Sequence, residues 1–519
     1  MATPSVDVKL FENLVNFVAL APTPHARIEV RAPFTGNLLG TLPVATDADV
    51  ARAVDLARTA QKPWAALPFR DRAAIFLRFH DLLLDRQDEA LDLIQLESGK
   101  SRAHAFEEIL DTAIVARYYA RRAGKFLRPR RRKGALPLLT RTRELRIPLG
   151  VVGFITPWNF PLTLGMTDAI AALLAGNAAI VKPDPQASFT VLWAANLLRE
   201  AGLPENVLCI VTGEGEVAGQ SLLDRADYIM FTGSERIGRK IASKAGERLI
   251  GCALELGGKN ALLVLADADL DKAVDGALRA CFAGAGQVCV STERIYVHQS
   301  VFPAFLEKLT DRMRKLKLGA ALDYSVNIGS LTTAAQLQKV EAHIADAVAK
   351  GATVVAGGRR RPDLGPLFFE PTILTGVRQG MKLFAEETFG PVVAVYPFAG
   401  ETEAIEQTNA SKYGLSASIW TRHPRKAAGI ARRIEAGSVN INEGYSAAWG
   451  SIDSPIGGMK ASGLHPRHGA EGIRKFTASQ TIAVQHLMPI APAYGMSQEF
   501  FARWMTRLLK ILRWTPWLG

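Results

Sequence analysis

The chain has 519 residues, of which 48% are hydrophobic and 22% charged, and its formal net charge is +12. That length predicts two or three domains, and with no cleavable leader and no run of 18 apolar residues we expect neither secretion nor a membrane-spanning helix. The four cysteines lack disulfide and metal-ligand spacing, and basic residues are not interleaved with aromatic ones, so we expect a cytoplasmic protein without bound metal or nucleic acid.

The N-terminal part is predicted to be helical. Apolar residues recur at helical spacing over 47–61 and 70–98, and a further helix is expected over 104–120. A basic run then covers 121–133, where Pro129 disfavours a continuous helix. Two interpretations of this run stay open: a solvated loop, or a docking site for acidic lipid or an acidic partner.

Short apolar runs alternate with helical segments over the next hundred residues. The predicted strands are 150–155, 178–181, 207–211 and 228–231, and the predicted helices are 162–174, 188–201, 216–225 and 237–245. Strands and helices that alternate over such lengths indicate βαβ units and a parallel sheet covered on both faces. This order is typical of a dinucleotide-binding domain.

A second α/β region follows from about residue 260. Its predicted strands are 261–265, 294–298, 392–398, 416–420 and 438–442, and its predicted helices are 271–282, 301–316, 334–350, 402–409 and 425–435. No internal repeat or low-complexity linker separates the two regions, so composition does not place a boundary between them.

Three stretches carry candidate chemistry. Cys289 follows a run of small residues, Glu255 precedes two glycines, and Asn159 lies in a Trp-Asn-Phe-Pro run. A thiol, a carboxylate and an amide are the groups needed to make and break a thioester: nucleophile, base for water and oxyanion donor. Structural alternatives are an inert core thiol, an ion pair between Glu255 and Lys259, and a helix cap at Asn159. Core positions are predicted for Cys209, Cys252 and Cys281.

With these motifs in this order, the chain from about residue 30 to about residue 485 resembles the aldehyde dehydrogenase superfamily. Its closest overall resemblance is to NADP-dependent bacterial succinate-semialdehyde dehydrogenases. The resemblance implies an α/β fold with a Rossmann-type cofactor domain, an α/β catalytic domain and a small oligomerisation β-hairpin. The implied divisions are 1–133 with 151–256 for the dinucleotide, 257–478 for catalysis, 134–150 with 479–490 for oligomerisation, and 491–519 as an amphipathic tail.

The resemblance also implies a reaction and an assembly. Cys289 would attack an aldehyde, Asn159 and the Cys289 N–H would hold the oxyanion, and Glu255 would activate the water that hydrolyses the thioester. The hairpin strand 136–147 would pair with 480–488 and build a homodimer or homotetramer. A catalytically silent relative is disfavoured because all three groups are present, and a CoA-acylating relative is disfavoured by Glu255.

A set of cofactor-binding residues follows from the same resemblance. Lys182 would bond the adenine ribose, Ser234 the pyrophosphate and Glu387 the nicotinamide ribose, although a surface lysine, a plain helix cap and a solvated carboxylate are the structural alternatives. Gly215 lies in a glycine-rich turn whose spacing is not G-x-G-x-x-G, so a plain turn stays open. The full expected set is Ile155, Thr156, Pro157, Trp158, Lys182, Asp184, Pro185, Gly215, Phe231, Thr232, Gly233, Ser234, Leu256, Gly257, Glu387 and Phe389.

The cofactor is expected to be NADP or NAD. Pro185 stands where the NAD-preferring pattern carries a glutamate that accepts both ribose hydroxyls. Proline offers no acceptor, and the missing carboxylate removes a repulsion against a 2′-phosphate, which favours NADP. The neighbouring Asp184 could restore some selectivity for NAD.

Succinate semialdehyde is the implied substrate, with one departure from the pattern. Thr167 stands eight residues after Asn159, where better-known enzymes for this substrate place an arginine. A buried substrate carboxylate would then need another cation, and the candidates are Arg294, Arg467 and His468. The expected mouth residues are Trp158, Phe160, Leu164, Met166, Phe282 and Trp449. Their apolar character suits aliphatic or aromatic aldehydes, which is the alternative substrate class.

The C-terminal tail is predicted to be an amphipathic helix. Residues 499–514 place large apolar side chains on one face and Arg503, Arg507 and Lys510 on the other, and Trp514 and Trp517 follow. A basic amphipathic helix with tryptophans fits peripheral contact with a membrane. The alternative is a helix docked on the body of the protein or on a partner subunit.

Overall fold

Two sheets organise the chain in the computed structural model, which describes residues 8–21, 24–136, 139–486 and 489–514. A six-stranded and a seven-stranded sheet are each almost entirely parallel, with helices on both faces. The predicted α/β class is confirmed. The predicted domain ranges stay a prediction.

In the described residues the helices have the following bounds: α1 (Val8–Val15), α2 (Asp47–Ala66), α3 (Phe69–Asp85), α4 (Gln87–Ser98), α5 (Arg102–Leu127), α6 (Pro161–Leu174), α7 (Ser188–Glu200), α8 (Gln220–Arg225), α9 (Glu235–Glu247), α10 (Leu270–Phe282), α11 (Phe302–Met313), α12 (Ala334–Ala349), α13 (Lys382–Ala385), α14 (Glu401–Asn409), α15 (Pro424–Ala431), α16 (Ser446–Gly450), α17 (Gly469–Arg474) and α18 (Gln498–Leu512).

The strands have the following bounds: β1 (Arg27–Arg31), β2 (Leu38–Pro43), β3 (Arg130–Arg132), β4 (Thr140–Pro148), β5 (Val151–Thr156), β6 (Ala178–Pro183), β7 (Leu208–Ile210), β8 (Tyr228–Thr232), β9 (Gly251–Glu255), β10 (Asn260–Val264), β11 (Thr292–His298), β12 (Thr353–Ala356), β13 (Thr372–Thr375), β14 (Val392–Phe398), β15 (Tyr413–Gly414), β16 (Ser416–Trp420), β17 (Ser438–Ile441), β18 (Met459–Lys460), β19 (Gly463–Leu464) and β20 (Thr477–Gln485).

The first sheet has the order β19-β9-β8-β5-β6-β7, parallel except for β19. From β5 the chain winds through β6 and β7 on one side, and then through β8 and β9 on the other. The order therefore reverses between β5 and β8, and ligands bind at such a switch point, outside the carboxyl ends of the strands. Helix α6 follows β5 directly and is buried on every side, as its continuous apolar sequence requires.

The second sheet has the order β12-β13-β14-β11-β10-β16-β17, and only β12 runs antiparallel. Its central strands are apolar and buried, with core side chains on both faces. The loop between α10 and β11 brings Cys289 close to Glu255, the last residue of β9 in the first sheet. The seven-stranded sheet thus positions the candidate nucleophile against the edge of the first sheet.

Strand β4 pairs along nine residues with β20 on one side and with the short β3 on the other. The predicted pairing of the segments 136–147 and 480–488 is observed, but with different ends. Strand β4 covers Thr140–Pro148 and β20 covers Thr477–Gln485, and residues 487–488 lie outside the described ranges. Pairing with β4 sets these ends, whereas the sequence of β20 itself marks them only weakly.

Two further expectations differ from the structure. The predicted helix 70–98 is two helices, since the chain bends at Arg86 between α3 and α4. The basic run 121–133 is not a loop: α5 continues to Leu127, and residues 130–132 form β3. Pro129 separates the two, because proline cannot continue the helix and restricts the residue before it.

Candidate active site

A cleft of about 680 Å³ opens at the switch point of the first sheet. It is lined by residues that directly follow β5, β8 and β9, together with residues from the second α/β region. Of the residues predicted to bind the cofactor, it brings together Pro157, Trp158, Thr232, Gly233, Ser234, Leu256, Gly257, Glu387 and Phe389. The three candidate catalytic residues, Asn159, Glu255 and Cys289, line the same cleft.

Cys289 lines both this cleft and a second cavity. The loop before it turns sharply through residues 284–286, all three with positive φ, and Ala285 takes this conformation without being a glycine (φ 55°). Asn260 Nδ2 donates to the Cys289 carbonyl at 2.8 Å and fixes the backbone. Burial and the neighbouring Glu255 raise the pKa of the Cys289 thiol to about 12, so it needs a base to become a thiolate.

Asn159 points its side chain into the site and does not cap the following helix. Its Nδ2 donates to the Gln287 carbonyl at 2.9 Å, and the N-cap residue of α6 is Phe160, without a side-chain cap. The bond to Gln287 uses one of the two hydrogens on this nitrogen. The other is available to a substrate oxygen, as an oxyanion donor requires.

A buried ion pair supports the loop that carries Asn159. Lys100 Nζ lies 2.6 Å from Glu108 Oε1 and also donates to the Asn159 carbonyl at 2.7 Å. The other oxygen of Glu108 accepts the backbone N–H groups of Leu162 and Thr163 at the start of α6. The pair thereby satisfies the first turn of the helix and fixes the candidate oxyanion donor.

Glu255 ends β9 and is buried, and its Oε1 has no hydrogen-bond partner in the described part of the chain. It does not pair with Lys259, whose Nζ bonds Glu293 instead. Burial raises the pKa of Glu255 to about 7. A carboxylate with this pKa can take a proton from water near neutral pH, which is the property of a general base.

Glu387 reaches the cleft beside two glycines. Gly258 N–H donates to Glu387 Oε1 at 2.8 Å, and a Cβ built on Gly257 would lie 2.4 Å from Oε2 of the same carboxylate. Position 257 therefore has no room for a side chain while Glu387 occupies its place. Burial and the nearby Glu293 raise the pKa of Glu387 to about 7.

The loop around Phe389 is held by backbone contacts. Glu293 accepts the N–H groups of Thr388 and Phe389, and Gln336 donates to both of their carbonyls. Phe389 has a φ of 58° and its ring lies 5.6 Å from that of Trp158, edge to face. Gln336 and its neighbour on α12, Lys339, also line the cleft; no motif in the sequence marked either.

Seven predicted cofactor residues, among them Ile155, Thr156 and Phe231, are not among those that line this cleft. Ile155 and Thr156 end β5, and the buried Thr156 hydroxyl has no partner in the described residues. Phe231 is part of the core, with its ring against Gly233. Ser234 both lines the cleft and caps α9, accepting from Ile237 N–H, so its two predicted roles are compatible.

Lys182 lies near the end of β6, Asp184 and Pro185 follow that strand, and Gly215 follows β7. Lys182 is buried, which lowers the pKa of its amine, while the carboxylates of Asp184, Glu214 and Glu216 act in the opposite direction. Asp184 Oδ1 accepts Gln186 N–H and caps the turn that begins at Pro185. Gly215 starts a helical turn with open space around its Cα.

The second cavity, of about 820 Å³, is the candidate mouth for a substrate, and its walls are mainly apolar. It contains the predicted Phe160, Leu164 and Trp449. The other three expected mouth residues were misassigned, because Met166 and Phe282 are in the core and Trp158 faces the cofactor cleft. The sequence could not separate them, since wall and core residues are both large and apolar.

The three cations suggested for a substrate carboxylate do not line this mouth. Arg294 is buried and donates to the carbonyls of Lys259, Gln407 and Thr408. Arg467 is buried in an ion pair with Asp168, and His468 is buried beside it. A cation that the sequence reasoning missed, Arg279 on α10, lines the mouth instead, half exposed, with the acids Glu107 and Asp111 nearby.

The described ranges contain neither a cluster of potential metal ligands nor a helix that could span a membrane. No group of three or more His, Cys, Asp or Glu side chains is arranged to hold a metal ion. None of the helices there combines the length and the apolar character needed to cross a membrane.

The chain is similar to known proteins of one enzyme family. A family model described as the aldehyde dehydrogenase family matches residues 20–482. A relative from Mycolicibacterium smegmatis, provisionally named an NADP(+) succinate-semialdehyde dehydrogenase, is 48% identical over 93% of both chains. A relative from Mycobacterium tuberculosis with the same kind of name is 46% identical over 99% of this chain and 98% of its own.

Solved structures agree with these relatives. A succinate-semialdehyde dehydrogenase from Burkholderia pseudomallei superimposes with a TM-score of 0.85 at 36% identity, covering 89% of this chain and 95% of that one. An NAD-dependent aldehyde dehydrogenase from Sinorhizobium meliloti superimposes with a TM-score of 0.87 at 35% identity, covering 92% and 94%.

Proposed function

We propose the activity of this chain from one premise, which is that the chain belongs to the aldehyde dehydrogenase family. The proposed reaction is the oxidation of an aldehyde to its carboxylic acid, with NADP or NAD as hydride acceptor. The single observation that carries the proposal is the position of Cys289, which lies between a cofactor-sized cleft and an apolar mouth, with Asn159 and Glu255 beside it.

In the first half of the reaction, the Cys289 thiol gives its proton to solvent water, and its sulfur attacks the aldehyde carbon that enters from the mouth. The resulting oxyanion accepts hydrogen bonds from Asn159 Nδ2 and the Cys289 backbone N–H. Two such donors in a dry site each lower the barrier by roughly 3 kcal/mol. When bound, the nicotinamide ring supplies the hydride acceptor, and the carbon is left as a thioester on Cys289.

In the second half, Glu255 takes a proton from water, and the hydroxide formed attacks the thioester carbon. The carbon–sulfur bond breaks, the acid leaves and the thiol is regenerated. The raised pKa of Glu255, about 7, supports this role because a stronger acid would hold the proton too weakly to help.

The residues around the cleft fit a dinucleotide. The Glu387 carboxylate is oriented by Gly258 N–H and fills the space that a side chain at position 257 would take, and the buried Thr156 hydroxyl lacks a partner within the described residues. Glu387 would hold the nicotinamide ribose, Ser234 at the start of α9 the pyrophosphate, and Lys182 the adenine ribose.

NADP is the proposed preferred cofactor. Pro185 presents no carboxylate to a 2′-phosphate, and the Asp184 carboxylate is engaged with the backbone N–H of Gln186. The names of the mycobacterial relatives agree with this preference. The acids Glu214 and Glu216 near Lys182 act against it, so use of NAD is retained in the proposal.

Succinate semialdehyde is the proposed substrate. Two grounds support it: the names of the relatives, and the presence of Arg279 in the mouth. Arg279 lines the mouth together with Cys289, and its acidic neighbours Glu107 and Glu443 lie at 3.7 and 3.8 Å, beyond a close hydrogen bond. Arg279 Nη2 donates to Ser446 Oγ at 2.5 Å, and because a guanidinium carries five N–H donors, a substrate carboxylate can still be received beside this bond.

Apolar aldehydes are the second candidate class, and the walls of the mouth favour them. Leu110, Ile114, Phe160 and Trp449 give the cavity a mainly apolar surface, and aliphatic or aromatic chains gain free energy by burial there. Two acids beside Arg279 also weaken its attraction for an anion.

One experiment separates these proposals. Initial rates are measured for succinate semialdehyde, butanal, hexanal and benzaldehyde, each with NADP and with NAD, in the wild type and in an Arg279→Met variant. Selective loss of succinate semialdehyde turnover in the variant supports the anionic substrate; higher kcat/KM for hexanal in both proteins supports the apolar class. No oxidation of any aldehyde would contradict the proposed activity.

The proposed assembly is a homodimer or homotetramer. Strand β20 is an edge strand of nine residues, and Ile482 and Val484 on it are 45% and 47% exposed. A long exposed edge with apolar side chains favours pairing with another chain. Sedimentation velocity of the wild type and an Ile482→Lys, Val484→Lys double variant tests this proposal, and a monomeric wild type would contradict it.

Peripheral membrane contact through α18 is a further part of the proposal. None of its residues is buried, and the apolar side chains of Phe500, Leu509 and Ile511, at the two edges of its broad apolar face, are about 60% exposed. Three basic residues, Arg503, Arg507 and Lys510, against one acid, Glu499, give this helix a net positive charge suited to anionic lipid. Co-sedimentation with anionic and zwitterionic vesicles is compared for the full chain and for a variant ending at residue 490. Equal pelleting of both would end this idea, and a changed oligomeric state would assign the helix to a partner subunit.

A further inference from the structure

Three buried charged side chains lie behind Glu255. Asp168 on α6 accepts a hydrogen bond from Arg467 on one oxygen and from Lys475 Nζ, at 3.0 Å, on the other. The side chains of all three are at most 6% exposed. One carboxylate with two cations leaves a net charge of +1 inside the protein, which is costly unless another negative group balances it.

The sheet register places Glu255 next to this cluster. Thr232 on β8 is paired with Glu255 on β9, and Met230 with Ala253, so these four side chains share one face of the sheet. Lys475 Nζ lies 3.8 Å from Met230 Sδ, which puts the amine on that same face. The carboxylate of Glu255, whose Oε1 has no partner in the described residues, and the surplus cation therefore lie on the same face of the sheet, and Arg467 and Lys475 act electrostatically on Glu255.

Resting on the proposed function, we propose that Lys475 and Asp168 control when Glu255 can act as a base. The surplus positive charge of the cluster stabilises the carboxylate form of Glu255. When Glu255 is ionised, the two carboxylates and the two cations have a net charge of zero. Lys475 and Asp168 are positioning residues in this scheme, because neither contacts the reacting atoms.

The ionisable surroundings agree with this scheme. The pKa of Glu255 is raised by burial, lowered by Arg467 and Lys475, and raised by Asp168. Arg467 also lowers the pKa of the Cys289 thiol, which faces Glu255 from the second region. Other ionisable groups border the cluster, namely Asp111, Tyr119 and His468. Arg467 is held over the Trp449 ring at 5.3 Å, so Lys475 is the better position to substitute.

Removing a cation near Glu255 and removing an anion near it should shift the pH at which Glu255 acts as a base in opposite directions. Lys475→Met removes the surplus cation, so protonated Glu255 is favoured and the base needs a higher pH. Asp168→Asn removes the like charge, so the base works at a lower pH. An opposite charge a few ångströms from a carboxylate shifts its titration by one unit or more, so we expect each midpoint to move by about one pH unit. Lys475→Arg keeps the charge and should restore the wild-type midpoint.

The test uses p-nitrophenyl acetate, which needs neither aldehyde nor dinucleotide. The Cys289 sulfur attacks the ester carbonyl and expels p-nitrophenolate in a burst; water then gives its proton to Glu255 and its oxygen to the acyl carbon, releasing acetate. The rate of this second step is measured from pH 5 to 9 for the wild type and the three variants, with circular dichroism to verify folding.

The outcomes distinguish failure of this inference from failure of the proposed function. Midpoints that move up in Lys475→Met and down in Asp168→Asn, with Lys475→Arg near the wild type, support the inference. Unmoved midpoints, or shifts in one direction, overturn it. If Asp168→Asn does not fold, the contrast between Lys475→Met and Lys475→Arg decides in the same way. A wild type that shows no burst contradicts the proposed function itself.

Discussion

Substitution of Gly257 by alanine tests whether the cleft beside Glu387 binds the dinucleotide. The new Cβ would lie 2.4 and 2.7 Å from the two Glu387 oxygens, where ordinary contact needs about 3.5 Å. The carboxylate must therefore move by about 1 Å and lose its bond to Gly258 N–H. Because it is the end of a flexible side chain, folding stability should change little.

The expected effect is on the cofactor. A hydrogen bond to a charged group contributes about 1.5–3 kcal/mol, which corresponds to a Kd for NADPH roughly ten- to 150-fold higher in Gly257→Ala. Binding is measured by calorimetry, and thioester formation with p-nitrophenyl acetate should stay at the wild-type level. Gly246→Ala is the matched control, since a Cβ at that position of α9 meets nothing within 4 Å.

Two results would refute this reasoning. An unchanged Kd for NADPH in Gly257→Ala would show that Glu387 does not contribute to cofactor binding. A parallel loss of ester reactivity would show that the substitution disturbs Cys289 as well, and that the cleft is not an independent cofactor site.

Three further predictions concern the groups around Cys289. Asn159→Ala should lower kcat roughly 10²- to 10³-fold, with KM for NADP unchanged, in steady-state rate measurements. A smaller loss would indicate that the Cys289 backbone N–H binds the oxyanion without help from Asn159. Hydrolysis of the acyl-enzyme should fall as the pH drops through about 7, because Glu255, with its pKa raised to about 7 by burial, works only as carboxylate; a midpoint near 4.5 in a pH–rate profile would contradict its burial. Lys100→Met should lower the free energy of unfolding by about 3–5 kcal/mol in urea titrations, because Glu108 is left buried without its ion-pair partner. Substitution of the exposed Lys62 by methionine is the control and should change this free energy by less than about 0.5 kcal/mol. Equal values for the two variants would contradict the role of the ion pair.

Local sequence patterns were sufficient for most of the fold. Strands β5, β6 and β8 are continuous apolar runs buried on both faces, and such runs are strong signals for a parallel sheet. Strand β9 was not predicted, because only its last three residues are buried and its first is exposed. The edge strand β12 and its neighbour β13 are four residues each, too short for a clear pattern.

The candidate site was predictable where chemistry and local motif coincide, as at Asn159, Glu255 and Cys289. It was not predictable where function depends on contacts between distant residues. Asp168 and Arg467 are 299 positions apart, and the sequence offered Arg467 as a substrate cation although the fold uses it inside an ion pair. Arg279 was missed because, on a helix, a single arginine has no pattern that distinguishes a cavity wall from a solvent-exposed face.

The central claim is that the substrate becomes covalently attached to Cys289, and mass spectrometry of a trapped intermediate tests it most directly. A Glu255→Gln variant is mixed with succinate semialdehyde or hexanal and NADP, quenched in acid and digested with trypsin. The account predicts the acyl group on Cys289 in the peptide 280–294, with fragment ions that leave Cys281 unmodified. A variant that reduces NADP without any acyl mass on Cys289 would contradict it.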